Sequence, residues 1–217
     1  MIKLLIYDLD GTLIDSRADI ANSVNWALQE LGFKALPKEQ VSSFVGSGVR
    51  RLMEQVLEKA APPGNDALER AITLYRKRYA EHLLDETKLY LSVPEVLEHF
   101  KARKQAVITN KPEGFSKEIL KGLGVDSYFF RLIGGDQEFP KKPDPAPVLE
   151  VISHARVRPE ETVFIGDSDI DIETGKNAKI QTIAVTYGFG ALSEIKHAKP
   201  DFIFHHFREL LTCPILV

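Results

Sequence analysis

From about residue 100 onward the chain alternates short apolar runs, rich in β-branched and aromatic residues, with stretches of helix length. The runs lie at 105–108, 132–133, 162–165, 182–185 and 202–204, and segments 113–123, 145–155 and 169–177 stand between the earlier ones. Such runs read as buried strands, and strand alternating with helix is the pattern of a parallel sheet covered by helices. The fold class is therefore α/β. A further run at 2–7 breaks the rhythm, because about a hundred residues separate it from the next, whereas a crossover with its helix needs only about a dozen.

The excess forms a module of its own, and its content is helical. Over 19–31, Ile20, Val24, Ala27, Leu28 and Leu31 fall at helical spacing, with Ser16 as N-cap and Gly32 as the stop. Segments 49–60 and 67–84 repeat the pattern across a turn at Ala61-Pro62-Pro63-Gly64-Asn65. The expected organisation is a helical cap at 16–85 inserted into an α/β core of 1–15 and 86–217, with a helix at 94–101 leading back into the sheet. No internal repeat or low-complexity tract interrupts it.

Composition narrows the function classes. With 44% apolar residues in 217, the chain can build a real core, burying roughly 70–75% of its unfolded surface, which excludes disorder as the main state. Its 28 Lys and Arg against 31 Asp and Glu give a charge of −3, which argues against nucleic acid as the partner. The single Cys213 excludes an intrachain disulfide and a Cys-based zinc cluster. The opening MIKLLIYDLD offers too short an apolar run for a signal peptide or a membrane span. A cytoplasmic protein, not membrane-bound, is expected.

The acids are concentrated where ligands bind. Asp8-Leu9-Asp10-Gly11-Thr12 follows the first strand directly, and in an open parallel sheet the crevice at the carboxyl ends of the strands is the binding site. Gly166-Asp167-Ser168-Asp169-Ile170-Asp171 follows the run at 162–165 in the same manner. If the two strands are neighbours, Asp8, Asp10 and Asp167 converge, and carboxylates so crowded protonate one another unless a cation sits among them. All-oxygen ligands favour Mg²⁺. The alternative is that Asp167 caps a helix and the other acids are solvated. Residues 16–85 carry 10 Lys and Arg against 9 acids, the remainder 18 against 22, so the acidic excess belongs to the core.

Two further features suit oxyanions. The strand at 105–108 ends in Thr109-Asn110, a hydroxyl and an amide at a helix start, and Lys142-Pro143-Asp144-Pro145 holds a lysine in a rigid segment. Taken singly, each is equally a cap residue or a surface lysine. In the cap, Gly46-Ser47-Gly48 with Arg50 and Arg51 reads either as a plain helix start or as a loop presenting N–H groups and Arg50 to a small anion. It is not a dinucleotide fingerprint, since Arg51 occupies the third glycine position. The histidines, His82, His99, His154, His197, His205 and His206, show no paired metal-ligand spacing.

In this order, the four elements resemble the haloacid dehalogenase-like hydrolase superfamily: Asp8 to Thr12 as first motif, Thr109 as second, Lys142 as third, and Gly166-Asp167 with Asp171 as fourth. The resemblance spans essentially the whole chain and implies a Rossmann-like sheet of order 5-4-1-2-3. It also implies phosphoryl transfer through an aspartyl-phosphate on Asp8, with Asp10 as general acid and base. It implies Mg²⁺ held by Asp8, the Asp10 carbonyl and Asp167, with Asp171 supporting the metal site or Lys142. By the same resemblance Thr109, Lys142 and the amides of Leu9 and Asp10 would bind the phosphoryl oxygens. Thr109-Asn110-Lys111-Pro112, Gly134-Gly135-Asp136 and Thr186-Tyr187-Gly188 are similar to the phosphoglycolate phosphatase branch. The implied substrate is then a small phosphorylated metabolite, 2-phosphoglycolate, bound with help from Asn110, Gly46 and Arg50 by a monomer or homodimer. Leu91-Ser92 in place of Pro-Gly, and Lys179 in place of Gly, depart from that branch. Relatives with nearly the same motifs hydrolyse pyrophosphate or other small esters, act as β-phosphoglucomutase-like phosphotransferases, or serve as non-catalytic regulators.

Overall fold

A computed structural model describes residues 1–61 and 66–217. The turn expected over Ala61-Pro62-Pro63-Gly64-Asn65 falls on 62–65, outside the described residues. Along the chain come β1 (Leu4–Tyr7), β2 (Ile14–Asp15), α1 (Arg17–Glu30), α2 (Lys38–Ser42), α3 (Val49–Ala60), α4 (Leu68–Glu81), β3 (Lys88–Leu89) and α5 (Val93–His99). Then follow β4 (Lys104–Ile108), α6 (Glu113–Gly122), β5 (Arg131–Ile133), α7 (Ala146–Ala155), β6 (Thr162–Gly166), α8 (Asp169–Asn177), β7 (Gln181–Val185), α9 (Leu192–Ala198) and β8 (Phe202–Phe204). Among the described residues, no helix is long and apolar enough to cross a membrane.

The main sheet is parallel throughout and ordered β5-β4-β1-β6-β7-β8. Counted within this sheet alone the order is 3-2-1-4-5-6. Read from the opposite edge, that is the expected 5-4-1-2-3 with one more strand, β8, outside the fifth. The chain fills one side of β1 with β4 and β5, then crosses to β6 on the other side. The point where the order reverses lies between β1 and β6, the place where such sheets bind ligands.

Side chains alternate across the sheet, as the pleat requires. Leu4 and Ile6 of β1, Ala106 and Ile108 of β4, and Phe164 of β6 pack with Val148, Val151, Ile152 and Ala155 of α7 in one buried cluster. Tyr7, next along β1, faces the other way. Its ring meets Phe129 at 6.2 Å and Phe207 at 6.0 Å, and its hydroxyl donates to Gln105 Oε1 at 3.0 Å. Every residue of β1 is fully buried, and each such side chain stabilises the fold by about 1.5–3 kcal/mol. The strand that carries Asp8 is thus anchored from both faces.

The described chain divides into two compact units, Met1–Asp15 with Leu89–Val217, and Ser16–Lys88. In the helical unit, Ile20, Val24, Ala27 and Leu28 of α1 are buried, as are Leu52, Met53 and Val56 of α3 and Ile72, Tyr75 and Tyr79 of α4, the i, i+3, i+4 stripe of an amphipathic helix. The unit runs three residues beyond the boundary read from the sequence, for a local reason. The buried Asp19 carboxylate accepts the N–H groups of Glu86 and Thr87 at 3.0 and 2.8 Å and the Thr87 hydroxyl at 2.7 Å, tying the returning segment to α1.

Candidate active site

The strand ends deliver the motif residues to neighbouring positions. The ladder continues one residue beyond each strand, with Asp8 N–H donating to Ile165 O at 2.9 Å and Thr109 N–H to Ile133 O at 3.0 Å. Asp8, Thr109 and Asp167 therefore leave three adjacent strands, β1, β4 and β6. After Asp8 the chain turns tightly: Leu9 O accepts the N–H groups of Thr12, Leu13 and Ile14. Gly11 makes the turn with φ +89°, and a Cβ there would stand 2.2 Å from Asp167 Oδ2. Only glycine meets both conditions.

Asp167 is held at both oxygens. Thr12 Oγ1 donates to Oδ1 at 2.9 Å and the Phe189 N–H to Oδ2 at 2.7 Å, while the Tyr187 hydroxyl donates to Thr12 O at 2.8 Å. Thr12, Tyr187 and the Phe189 amide are parts of the site to which sequence reasoning gave no role. Ser168, rather than Asp167, occupies the N-cap of α8, and Asp171 completes a capping box with it. One oxygen of Asp171 accepts the Asp167 and Ser168 N–H groups and the Ser168 hydroxyl, and the other accepts Lys142 Nζ at 2.6 Å. The same ammonium lies 2.7 Å from Asp8 Oδ1, an ion pair without hydrogen-bond alignment.

Thr109-Asn110-Lys111 serves several groups at once. Asn110 grips the Lys142 main chain, accepting its N–H at 3.0 Å and donating to its carbonyl at 3.2 Å. Lys111 Nζ lies 3.0 and 3.2 Å from the two oxygens of Asp10. Its place directly after Thr109-Asn110 marked it in the sequence without giving it a role. In the helical unit, Gly46 and Gly48 both have positive φ, and Arg50 donates to Glu69 at 2.6 Å with both side chains exposed.

The electrostatics of the crevice call for a cation. Oxygens of Asp8, Asp167 and Asp171 lie within 4.8 Å of one another. Burial pushes the Asp8 carboxyl up to about 7, against the pull of Lys142 and with repulsion from Asp171 and Asp10 adding. Burial, then repulsion from Asp171 and Asp8, pushes Asp167 up to about 8. For Lys142, burial favours the neutral amine, but Asp171 and Asp8 more than offset it and hold the ammonium above its usual range. Four carboxylates, Asp8, Asp10, Asp167 and Asp171, face two ammoniums, Lys111 and Lys142. Fully ionised, they are short of two positive charges, which a divalent cation would supply. Asp171 gives one oxygen to three donors and the other to the Lys142 ammonium, whereas Asp8 and Asp167 carry the raised affinities for protons that a metal displaces. The donor set fits a hard cation such as Mg²⁺.

A parallel sheet with acids on β1 and β6, a hydroxyl on β4 and a buried lysine between them defines a hydrolase class. The chain matches the family model of the haloacid dehalogenase-like hydrolases over residues 5–185 and belongs to that family. Within it, the chain is 39% identical to the phosphoglycolate phosphatase of Aquifex aeolicus (strain VF5), covering 92% of this chain and 91% of the relative. It is 38% identical to the phosphoglycolate phosphatase of Colwellia psychrerythraea, covering 96% and 95%. The crystal structure of a predicted phosphoglycolate phosphatase from Haemophilus somnus matches with a TM-score of 0.93 at 31% identity, covering 97% of each chain.

Proposed function

We propose that this phosphatase hydrolyses 2-phosphoglycolate with Mg²⁺ and through an aspartyl-phosphate on Asp8. The observation that carries the reading is the placement of Asp8 beside Lys142 and Asp167 at the reversal point of the sheet, in a chain whose relatives are phosphoglycolate phosphatases. Asp8, the Asp10 carbonyl and Asp167 would hold the metal. Bound there, Mg²⁺ supplies the positive charge that lets a carboxylate approach a phosphate dianion.

Asp8 attacks phosphorus in line, so that an Asp8 O–P bond forms as the bond to the leaving alkoxide breaks. Asp10 gives its proton to that alkoxide, releasing glycolate. It then takes a proton from the water that attacks the phosphoryl group, and inorganic phosphate leaves with Asp8 restored. Lys142, the Thr109 hydroxyl and the Leu9 and Asp10 amides hold the phosphoryl oxygens. Asn110 and Asp171 serve Lys142, one at its main chain and the other at its ammonium. Gly46 and Arg50 are the helical unit's contribution to substrate binding in this reading. Arg50 can change partners readily, because an exposed ion pair such as its contact with Glu69 stabilises by only about 0–1 kcal/mol.

A screen of 2-phosphoglycolate, pyrophosphate, glucose 1-phosphate and a nucleoside monophosphate tests the substrate. Phosphate release is expected to be fastest from 2-phosphoglycolate and to stop with EDTA. Preference for another compound, or EDTA-resistant turnover, would contradict the reading.

Thermal melts test the metal separately. In the metal-free chain, Asp8 at about 7 and Asp167 at about 8 exceed their unfolded values near 4. The folded chain therefore binds more protons than the unfolded one between about pH 4 and pH 8, and their contribution to stability falls as pH rises through that window. Mg²⁺ replaces those protons, so it is expected to raise Tm more at pH 8 than at pH 6. Equal shifts at both pH values, or none, would count against these carboxylates as ligands.

A further inference from the structure

Lys111 is buried with its partner: the side chains of Lys111 and Asp10 are 5% and 11% exposed. Water screens a solvated bridge of this kind until it holds little in place, but here the protein encloses both ends. The main chain of Lys111 is also anchored. Its N–H donates to Thr109 Oγ1 at 3.3 Å, and its carbonyl accepts the Gly135 N–H at 2.9 Å. Gly135 comes so close that a Cβ on it would stand 2.3 Å from Asn110 O, so the backbone around Lys111 is packed against backbone.

The ammonium at the end of this anchored arm contacts both oxygens of Asp10, at 3.0 and 3.2 Å. Asp10 stands on the turn after β1, and a carboxylate that must meet first a leaving oxygen and then a water needs its rotamer set to within a fraction of an ångström. Lysine suits the task, being a compact point charge that can meet both carboxylate oxygens at once, here on a buried stem with an anchored main chain. We infer that Lys111 is the positioning residue for Asp10, fixing the rotamer from which Asp10 exchanges protons with the leaving oxygen and with water. The inference rests on the reading above, in which Asp10 is the acid and base. It makes the tripeptide after β4 a shared alignment device: Thr109 reaches the phosphoryl group, Asn110 sets Lys142, and Lys111 sets Asp10.

The test is a double-mutant cycle on the full chain with Mg²⁺, combining Lys111→Met and Asp10→Asn. It is read by steady-state kinetics on 2-phosphoglycolate and by rapid-quench phosphoenzyme formation with p-nitrophenyl phosphate. Lys111→Met is expected to lower kcat on 2-phosphoglycolate by about 100-fold while KM moves less than about threefold. Its phosphoenzyme formation from p-nitrophenyl phosphate, whose leaving group needs little protonation, should stay within about tenfold of the unsubstituted chain. A residue that acts through Asp10 has nothing further to lose once Asp10 is gone, so the double variant should be no slower than Asp10→Asn alone. Additive losses, or a raised KM at unchanged kcat, would overturn the inference and make Lys111 a structural or substrate-binding group. If Lys111→Met does not fold, Lys111→Gln keeps a donor for Asp10 and should lose about tenfold in kcat at unchanged KM; a KM effect there overturns the inference equally. An unsubstituted chain that forms no phosphoenzyme would overturn the proposed function, and the inference with it, whereas an active chain with additive variants overturns the inference alone.

Discussion

Asp8→Asn is expected to lower kcat on 2-phosphoglycolate by about 10⁴-fold or more, because an amide cannot form the phosphoenzyme and no other group replaces a nucleophile. The same substitution should leave the metal-free fold as stable as before, or more so. Burial, repulsion from Asp171 and repulsion from Asp10 together outweigh the attraction of Lys142 and disfavour the charged form of Asp8. A neutral isostere therefore relieves the crevice rather than opening a defect. Phosphate release and a melt in EDTA on the same preparation check both halves. Near-full activity would dismiss Asp8 as nucleophile, and a collapsed melting transition would dismiss the electrostatic account.

Lys142→Met is expected to do the opposite to stability while also damaging turnover. Without the ammonium, Asp8 and Asp171 lose their shared partner in a buried site. Removing one member of such a buried pair destabilises by about 3–5 kcal/mol, which corresponds to a fall in Tm of about 10 °C for a chain of this size. In the proposed reaction it also removes a preorganised donor to the phosphoryl oxygens, and kcat is expected to fall by about 10²–10³-fold. Mg²⁺ should recover part of the Tm and little of the rate. A variant that melts like the unsubstituted chain in EDTA would show that the ammonium does not hold the acids together.

The parts of the site that were legible in the sequence are those fixed by local order. A strand followed at once by acids places those acids at its carboxyl end, and six such runs dictated the sheet almost to its edges. Lys142 was readable as a lysine held by a neighbouring proline, but its two acid partners come from β1 and α8, and no local pattern encodes that distance. Asn110 illustrates the limit. Its position at a strand end was plain, yet its side chain pairs with a main chain 32 residues away. Lys111 reaches back 101 residues to Asp10. Short elements also escaped notice: α2 has five residues and α9 seven, too few for helical periodicity to separate from turn. The Asp19 clamp on Glu86 and Thr87 was hidden for the same reason as Asn110, since a buried acid in an amphipathic helix signals nothing until the partner's amides are seen.

Asp167 shows what the crowding glycines accomplish. With Thr12 on one oxygen, the Phe189 amide on the other, and no room for a Cβ at Gly11 or Gly188, its carboxylate has already lost its rotational freedom when the chain folds. That entropy, which a carboxylate on an open surface loses only when it captures an ion, is here offset by the packing of the whole core. Asp10 is held in a different way, by the single ammonium of Lys111 at both of its oxygens. The crevice thus sets an acid fixed by backbone and hydroxyl donors beside one fixed by a charge.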